Sequence, residues 1–275
     1  MMRSILSSDN VNLHVRDEGP PDAQVLMFSN SLGTDLRVWD LMLEHLSGSY
    51  RIVRYDKRGH GLSDCPAAPY SMEQLVNDAE TIADTLELSD IIFVGLSIGG
   101  LIGQGLAAKR PDLFKAMVLM DTAAKIGTAA MWEERIAVLG RSGLPGMEDA
   151  ILDRWFVEPL RSSERDLAPW RNMMVRTPLE GYTGCCHAIA SADFRESTAL
   201  LKLPVLGIAG DSDAATPPRL LEEAVLSCGG QFKLVEGAGH LPCVEQPFAT
   251  AGPVQAFIEQ PVSYTHLTLP TIYSV

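Results

Sequence analysis

The feature that most constrains this chain is Gly95-Leu96-Ser97-Ile98-Gly99, set directly after the apolar run Ile91–Val94 and directly before a helix-compatible stretch. A strand that turns sharply into a helix leaves no room for side chains beside the serine, so both flanking positions call for glycine. Such a corner lifts the Ser97 hydroxyl above a sheet. It also sets it at a helix N-terminus, where unpaired backbone N–H groups favour a developing oxyanion. In strand–turn–helix context the pentapeptide is a nucleophile elbow. Outside that context it would be a glycine-rich helix start with an idle serine.

The rest of the chain supplies the context. Short apolar runs alternate with longer helical patterns, as in an α/β protein with a largely parallel sheet and helices on both faces. Val11–Arg16 alternates apolar and polar, which predicts an early antiparallel strand, while Gln24–Phe28, Arg51–Tyr55, Ile91–Gly95, Ala116–Met120, Pro204–Ala209 and Phe232–Val235 read as buried strands. Ser71–Leu86 carries apolar residues at helical spacing, with Ser71 as its N-cap. The alternation breaks between about Lys125 and Leu203, a stretch holding Trp132, Trp155 and Trp170 and three helical patterns separated by Pro and Gly. We expect residues 1–124 and 204–261 to form the core domain and 125–203 a helical lid inserted into it. Residues 262–275, VSYTHLTLPTIYSV, contain no Asp, Glu, Lys or Arg. They read either as a non-native or disordered tail or as a β-arm for a partner subunit.

Composition narrows the function classes. Twenty-two Lys and Arg against 35 Asp and Glu leave a formal charge of −13 over 275 residues, which argues against nucleic acid or an anionic membrane as a partner. Five cysteines without metal-ligand spacing suggest reduced thiols, and nothing in the pattern calls for a metal or a cofactor. Residues 1–10 show no signal-peptide pattern, and no apolar run reaches the ~20 residues of a membrane span. The expectation is a soluble cytoplasmic protein whose oligomeric state the residues do not specify.

A serine needs a base, and the base an acid to orient it. Among six histidines, His240 follows the last expected strand in the loop Glu236-Gly-Ala-Gly-His240, and His60, in Arg58-Gly-His-Gly, is the runner-up. His14 lies in a strand, His45 and His187 fall on helical patterns, and His266 is in the tail. The order Ser…Asp…His places the acid in Gly210-Asp-Ser-Asp213. Asp213 is chosen because it lies further into the loop, with Asp211 left to shape the turn. The backbone N–H groups of Leu32, in Ser29-Asn-Ser-Leu-Gly33, and of Ile98 are the expected oxyanion donors.

The motifs SNSLG, YDKRGHG, GLSIGG, GDSDAATPP and GAGH, in this order, resemble the α/β-hydrolase superfamily across residues 1–260. The segments SNSLGTDLRVWD, MWEERIAVLGRSG, LDRWF and EGYTGCCHAIASAD further resemble 3-oxoadipate enol-lactonases. The resemblance implies the α/β-hydrolase fold with a lid, the same three residues as nucleophile, acid and base, and a small anionic lactone or ester as substrate. Arg135 is then expected to pair the substrate carboxylate while Trp132, three residues earlier on the same helical face, walls the ring. The alternative for Arg135 is an ordinary lid salt bridge. In the loop after Tyr55, Arg58 is expected to tie down neighbouring loops, with His60 structural. Rival functions are a broad carboxylesterase with the same triad, a haloperoxidase-like or C–C hydrolase activity, and a non-catalytic receptor for a small ligand.

Overall fold

The computed structural model describes residues 2–7, 9–158 and 160–260; the tail expected at 262–275 lies outside them. These residues build one eight-stranded sheet from β1 (Met2–Leu6), β2 (Asn12–Glu18), β3 (Gln24–Ser29), β4 (Tyr50–Tyr55), β5 (Ile91–Leu96), β6 (Phe114–Met120), β7 (Val205–Gly210) and β8 (Gln231–Val235). Their spatial order is β1-β2-β4-β3-β5-β6-β7-β8. β1 and β2 run antiparallel at one edge, and the other six are parallel.

Burial explains which strands were visible in the sequence. β5 and β7 are buried at every position, as strands covered on both faces must be, and they read as continuous apolar runs. β2 alternates buried and partly buried residues. β1, MRSIL, buries only Ile5; an exposed edge strand of five residues carries no period to detect, and it is an addition to the sequence reading.

Helices flank the sheet in the α/β-hydrolase fold. In chain order they are α1 (Asp40–Leu43), α2 (Met72–Thr85), α3 (Ile98–Lys109), α4 (Ala129–Ser142), α5 (Glu148–Trp155), α6 (Glu164–Val175), α7 (Leu179–Ser191), α8 (Arg195–Ala199), α9 (Pro218–Ser227), α10 (Pro242–Glu245) and α11 (Pro247–Ile258). Ser71 caps α2 in a reciprocal box with Gln74, each side chain taking the other's backbone N–H. α3 is buried from Ile98 to Ala107 and packs on β3, β5 and β6. Between β6 and β7 the described chain forms only helices, α4 to α8.

The topology prepares a site. The chain moves from β3 to β4 on one side and then returns to place β5 on the other side of β3. The loops leaving the C-terminal ends of β3 and β5 therefore part, opening a crevice there. Ser29 and Gly95 are paired across these two strands, so residues 30–33 and Ser97 emerge side by side.

Candidate active site

Ser97 has φ 57° and ψ −120°, a strained conformation for a residue with a side chain. Its N–H donates to Met120 O at 2.9 Å, and its carbonyl accepts from Gly100 N–H and Thr122 Oγ1. Both neighbouring glycines are steric requirements: a Cβ on Gly95 would lie 2.5 Å from Gly99 O, and one on Gly99 would lie 2.0 Å from Ser29 O. Ile98 begins α3, so no carbonyl of its own helix precedes it to accept its N–H. Among the described residues neither Ile98 N–H nor Leu32 N–H has a backbone partner.

His240 follows β8 and is buried. Its Nδ1 lies 3.0 Å from Asp213 Oδ2. Facing a carboxylate, Nδ1 carries the proton, which leaves Nε2 as an acceptor; Ser31 Oγ lies 3.4 Å from it. Asp213 is fixed by Ala215 N–H at 2.7 Å and Thr216 N–H at 3.0 Å on Oδ1, and by Thr216 Oγ1 at 2.7 Å on Oδ2. Burial opposes its ionisation, but the adjoining His240 and these hydrogen bonds outweigh it and hold its pKa below the usual carboxylate value. Asp211 is exposed and accepts Gly237 N–H, bracing the β8 loop.

Ser97 and His240 line one cavity of about 240 Å³ together with Ser31, Leu32, Trp132, Arg135, Arg154, Trp155 and Tyr182. No hydrogen bond joins Ser97 Oγ to His240 among the described residues; both side chains belong to residues that line this cavity, Ser97 being 7% exposed. Catalytic hydrogen bonds are commonly loose before substrate binds. A larger groove of about 900 Å³, lined by residues of β2 and α6 such as His14, Arg16, Trp170 and Met173, contains none of these side chains.

The wall of the cavity opposite the sheet comes from α4, α5 and α7. Trp132 Nε1 donates to Ile126 O at 2.7 Å, which fixes the indole plane. Arg135 lies 5.5 Å from the Trp132 ring centre and 5.8 Å from that of Tyr182, and its Nη2 donates to Tyr182 OH at 2.7 Å. Its Nε is buried without a partner. Among the described residues Arg135 forms no salt bridge. Arg154 is a second cation on the cavity, likewise without an ion pair there. Neither Arg154 nor Tyr182 stands out in the sequence; only their places in LDRWF and EGYTGCC mark them.

His60 and Arg58 support the site from behind. His60 Nε2 accepts Gly33 N–H at 3.0 Å. Burial, with the nearby Lys57 charge, drives its pKa well below the ordinary value, so it serves as a neutral acceptor. Arg58 forks between Asp78 and Asp9, tying α2 to the loop before β2. Cys185 and Cys186 are buried free thiols.

A sheet of this topology with a strained serine at the β5 corner defines a class, and comparison with known proteins agrees. Residues 27–252 match the Alpha/beta hydrolase family, and the chain belongs to that family. Within it, the chain is similar to 3-oxoadipate enol-lactonase 2 of Acinetobacter baylyi, 34% identical over 94% of this chain and 97% of that protein. The crystal structure of the enol-lactonase from Burkholderia xenovorans LB400 superposes with a TM-score of 0.89 at 35% identity, covering 94% of this chain and all of that one. A hydrolase from Pseudomonas aeruginosa PA01 gives 0.90 at 34% identity, covering 94% and 98%.

Proposed function

We propose that this chain is a serine hydrolase that opens the ring of 3-oxoadipate enol-lactone, an unsaturated lactone carrying an acetate arm. The observation that carries the reading is the cavity itself: a serine and a carboxylate-held histidine share it with two arginines that have no ion pair among the described residues. In a protein of charge −13, cations left unpaired at such a site suit an anionic substrate.

Ser97 Oγ attacks the lactone carbonyl as His240 Nε2 takes its proton, and Asp213 holds the imidazolium. The carbonyl oxygen becomes an oxyanion facing the N–H groups of Leu32 and Ile98, each such donor lowering the barrier by about 3 kcal/mol. Collapse breaks the ring C–O bond; the oxygen leaves as an enolate, takes a proton and ketonises. His240 then removes a proton from water, which attacks the acyl group and frees Ser97 and 3-oxoadipate. Residues 125–203 act as the lid, with Trp132 against the ring and Arg135 and Arg154 on the carboxylate.

Steady-state hydrolysis of 3-oxoadipate enol-lactone beside p-nitrophenyl acetate and butyrate tests this. The lactone is expected to lead in kcat/KM by about a thousandfold, roughly 4 kcal/mol of selectivity, and Ser97→Ala to abolish turnover of all three. Esters that match the lactone would make the chain a general esterase. Arg135→Ala is expected to raise KM for the lactone at least tenfold while leaving the uncharged esters within about twofold; equal effects on both would remove Arg135 from the carboxylate.

A further inference from the structure

Lys57, two residues beyond β4, is 1% exposed. Its ammonium group forms no ion pair among the described residues and is held by backbone carbonyls. Nζ donates to Ser31 O at 2.6 Å and to Thr34 O at 3.3 Å. Burial lowers its pKa to about 8, against the pull of Cys185, Asp56 and Asp35, so it remains largely charged at neutral pH. A methionine would fill the same space without the penalty of a buried cation.

The carbonyl it holds suggests why the cation is there. Ser31 C=O and Leu32 N–H are the two ends of one planar trans peptide unit and point in opposite directions. Fixing the oxygen fixes the direction of the N–H and turns it away from Lys57. The same oxygen accepts from Thr34 N–H at 3.2 Å and Thr34 Oγ1 at 2.9 Å, and the next N–H, of Gly33, is taken by His60. A positive charge on the carbonyl oxygen also draws electrons through the amide, making its N–H a stronger donor.

We infer that Lys57 is a positioning residue for the oxyanion site, orienting and polarising the Ser31–Leu32 peptide so that the Leu32 N–H meets the charge that develops beside Ser97. The inference rests on the reading of Leu32 and Ile98 as oxyanion donors. It makes Lys57 act on the transition state and not on substrate binding.

Two ketones separate those effects. An alkyl trifluoromethyl ketone adds to the serine as a hemiketal oxyanion, whereas the matching methyl ketone stays a carbonyl. Lys57→Met is expected to lose about tenfold or more in kcat and in trifluoromethyl ketone affinity together. KM and methyl ketone affinity should stay within about twofold. Lys57→Gln, which keeps an N–H donor without the charge, should fall between. A folded Lys57→Met with native kcat and native trifluoromethyl ketone affinity overturns the inference, as do equal losses for both ketones. Should Lys57→Met fail to fold, Lys57→Gln decides: selective loss of the trifluoromethyl ketone supports the role, and no selective loss overturns it. Fluorophosphonate labelling of the native chain separates the two levels. No label on Ser97 removes the oxyanion reading itself; a labelled native chain with unaffected variants removes only the role of Lys57.

Discussion

Asp121 sits directly after β6 at φ 40°, its Oδ1 accepting Gly210 N–H at 2.9 Å and its Oδ2 buried without a partner. An oxygen of Asp121, an oxygen of Asp213 and a ring nitrogen of His240 lie within 4.8 Å of one another. Burial first, and then the Asp213 charge, raise the Asp121 pKa well above the ordinary value, so the pair holds one negative charge and Asp213 keeps it. A carboxyl with a raised folded pKa supports folding fully below its unfolded pKa, and that support is lost as pH rises through the folded value. Asp121→Asn, neutral at every pH, is therefore expected to match the native Tm near pH 4 and exceed it increasingly toward pH 8, with kcat within about threefold. A lower Tm for Asn across the whole series would contradict the neutral assignment. At this scale much was legible: Ser97, Asp213 and His240 each follow a strand end closely, and depth in the loop after β7 separates Asp213 from Asp211. Arg154 and Tyr182 were not, because only the packing of α5 and α7 decides which of their residues border the cavity. The partners of Lys57, the Ser31 and Thr34 carbonyls, are distant in sequence and have no side-chain signature.

The segment ending α5 and the loop holding His240 are joined by backbone groups. His240 N–H donates to Trp155 O at 2.9 Å. Glu245, on α10, accepts Val157 N–H at 2.7 Å and Gly239 N–H at 2.6 Å, one on each oxygen. Burial raises the Glu245 pKa to about 7, with the two N–H groups opposing and the Asp213 and Asp211 charges adding. Removing the side chain strands two N–H groups, each costing about 1–3 kcal/mol when buried. Glu245→Ala is thus expected to lower Tm by several degrees and to change kcat and KM together, since Trp155 lines the cavity and His240 is beside Gly239. Thermal melts with lactone kinetics check this; a change in Tm with both kinetic constants untouched would uncouple the two segments. Helix and strand identities followed from periodicity, as in Ser71–Leu86 and the buried runs of β5 and β7. This link did not, because it joins backbone N–H groups through one glutamate.

Across the whole molecule, charge and chemistry oppose each other. A surplus of 13 negative charges would repel the proposed anionic substrate at long range, while the proposed contacts with Arg135 and Arg154 would favour it at short range. Salt screens exposed charges beyond about 10 Å at 0.1 M and affects close, enclosed pairs less. Raising ionic strength from about 0.02 to 0.15 M is therefore expected to lower KM for the anionic lactone about twofold or more, and to leave KM for p-nitrophenyl acetate unchanged. A KM for the lactone that climbs with salt would mean the contact arginines outweigh the overall field. The division of labour along the chain has a further consequence. Ser97, Leu32, Asp213 and His240 stand on loops of the sheet, whereas Trp132, Arg135, Arg154 and Tyr182 all come from the helices described between β6 and β7. One contiguous stretch of gene therefore encodes the helical wall of the cavity, and recombination ending in the β6 and β7 codons could exchange it whole. Among the conditions on such a transplant, one falls on the base: a donor must present a carbonyl where Trp155 has one and an N–H where Val157 has one, or the host histidine loses its brace.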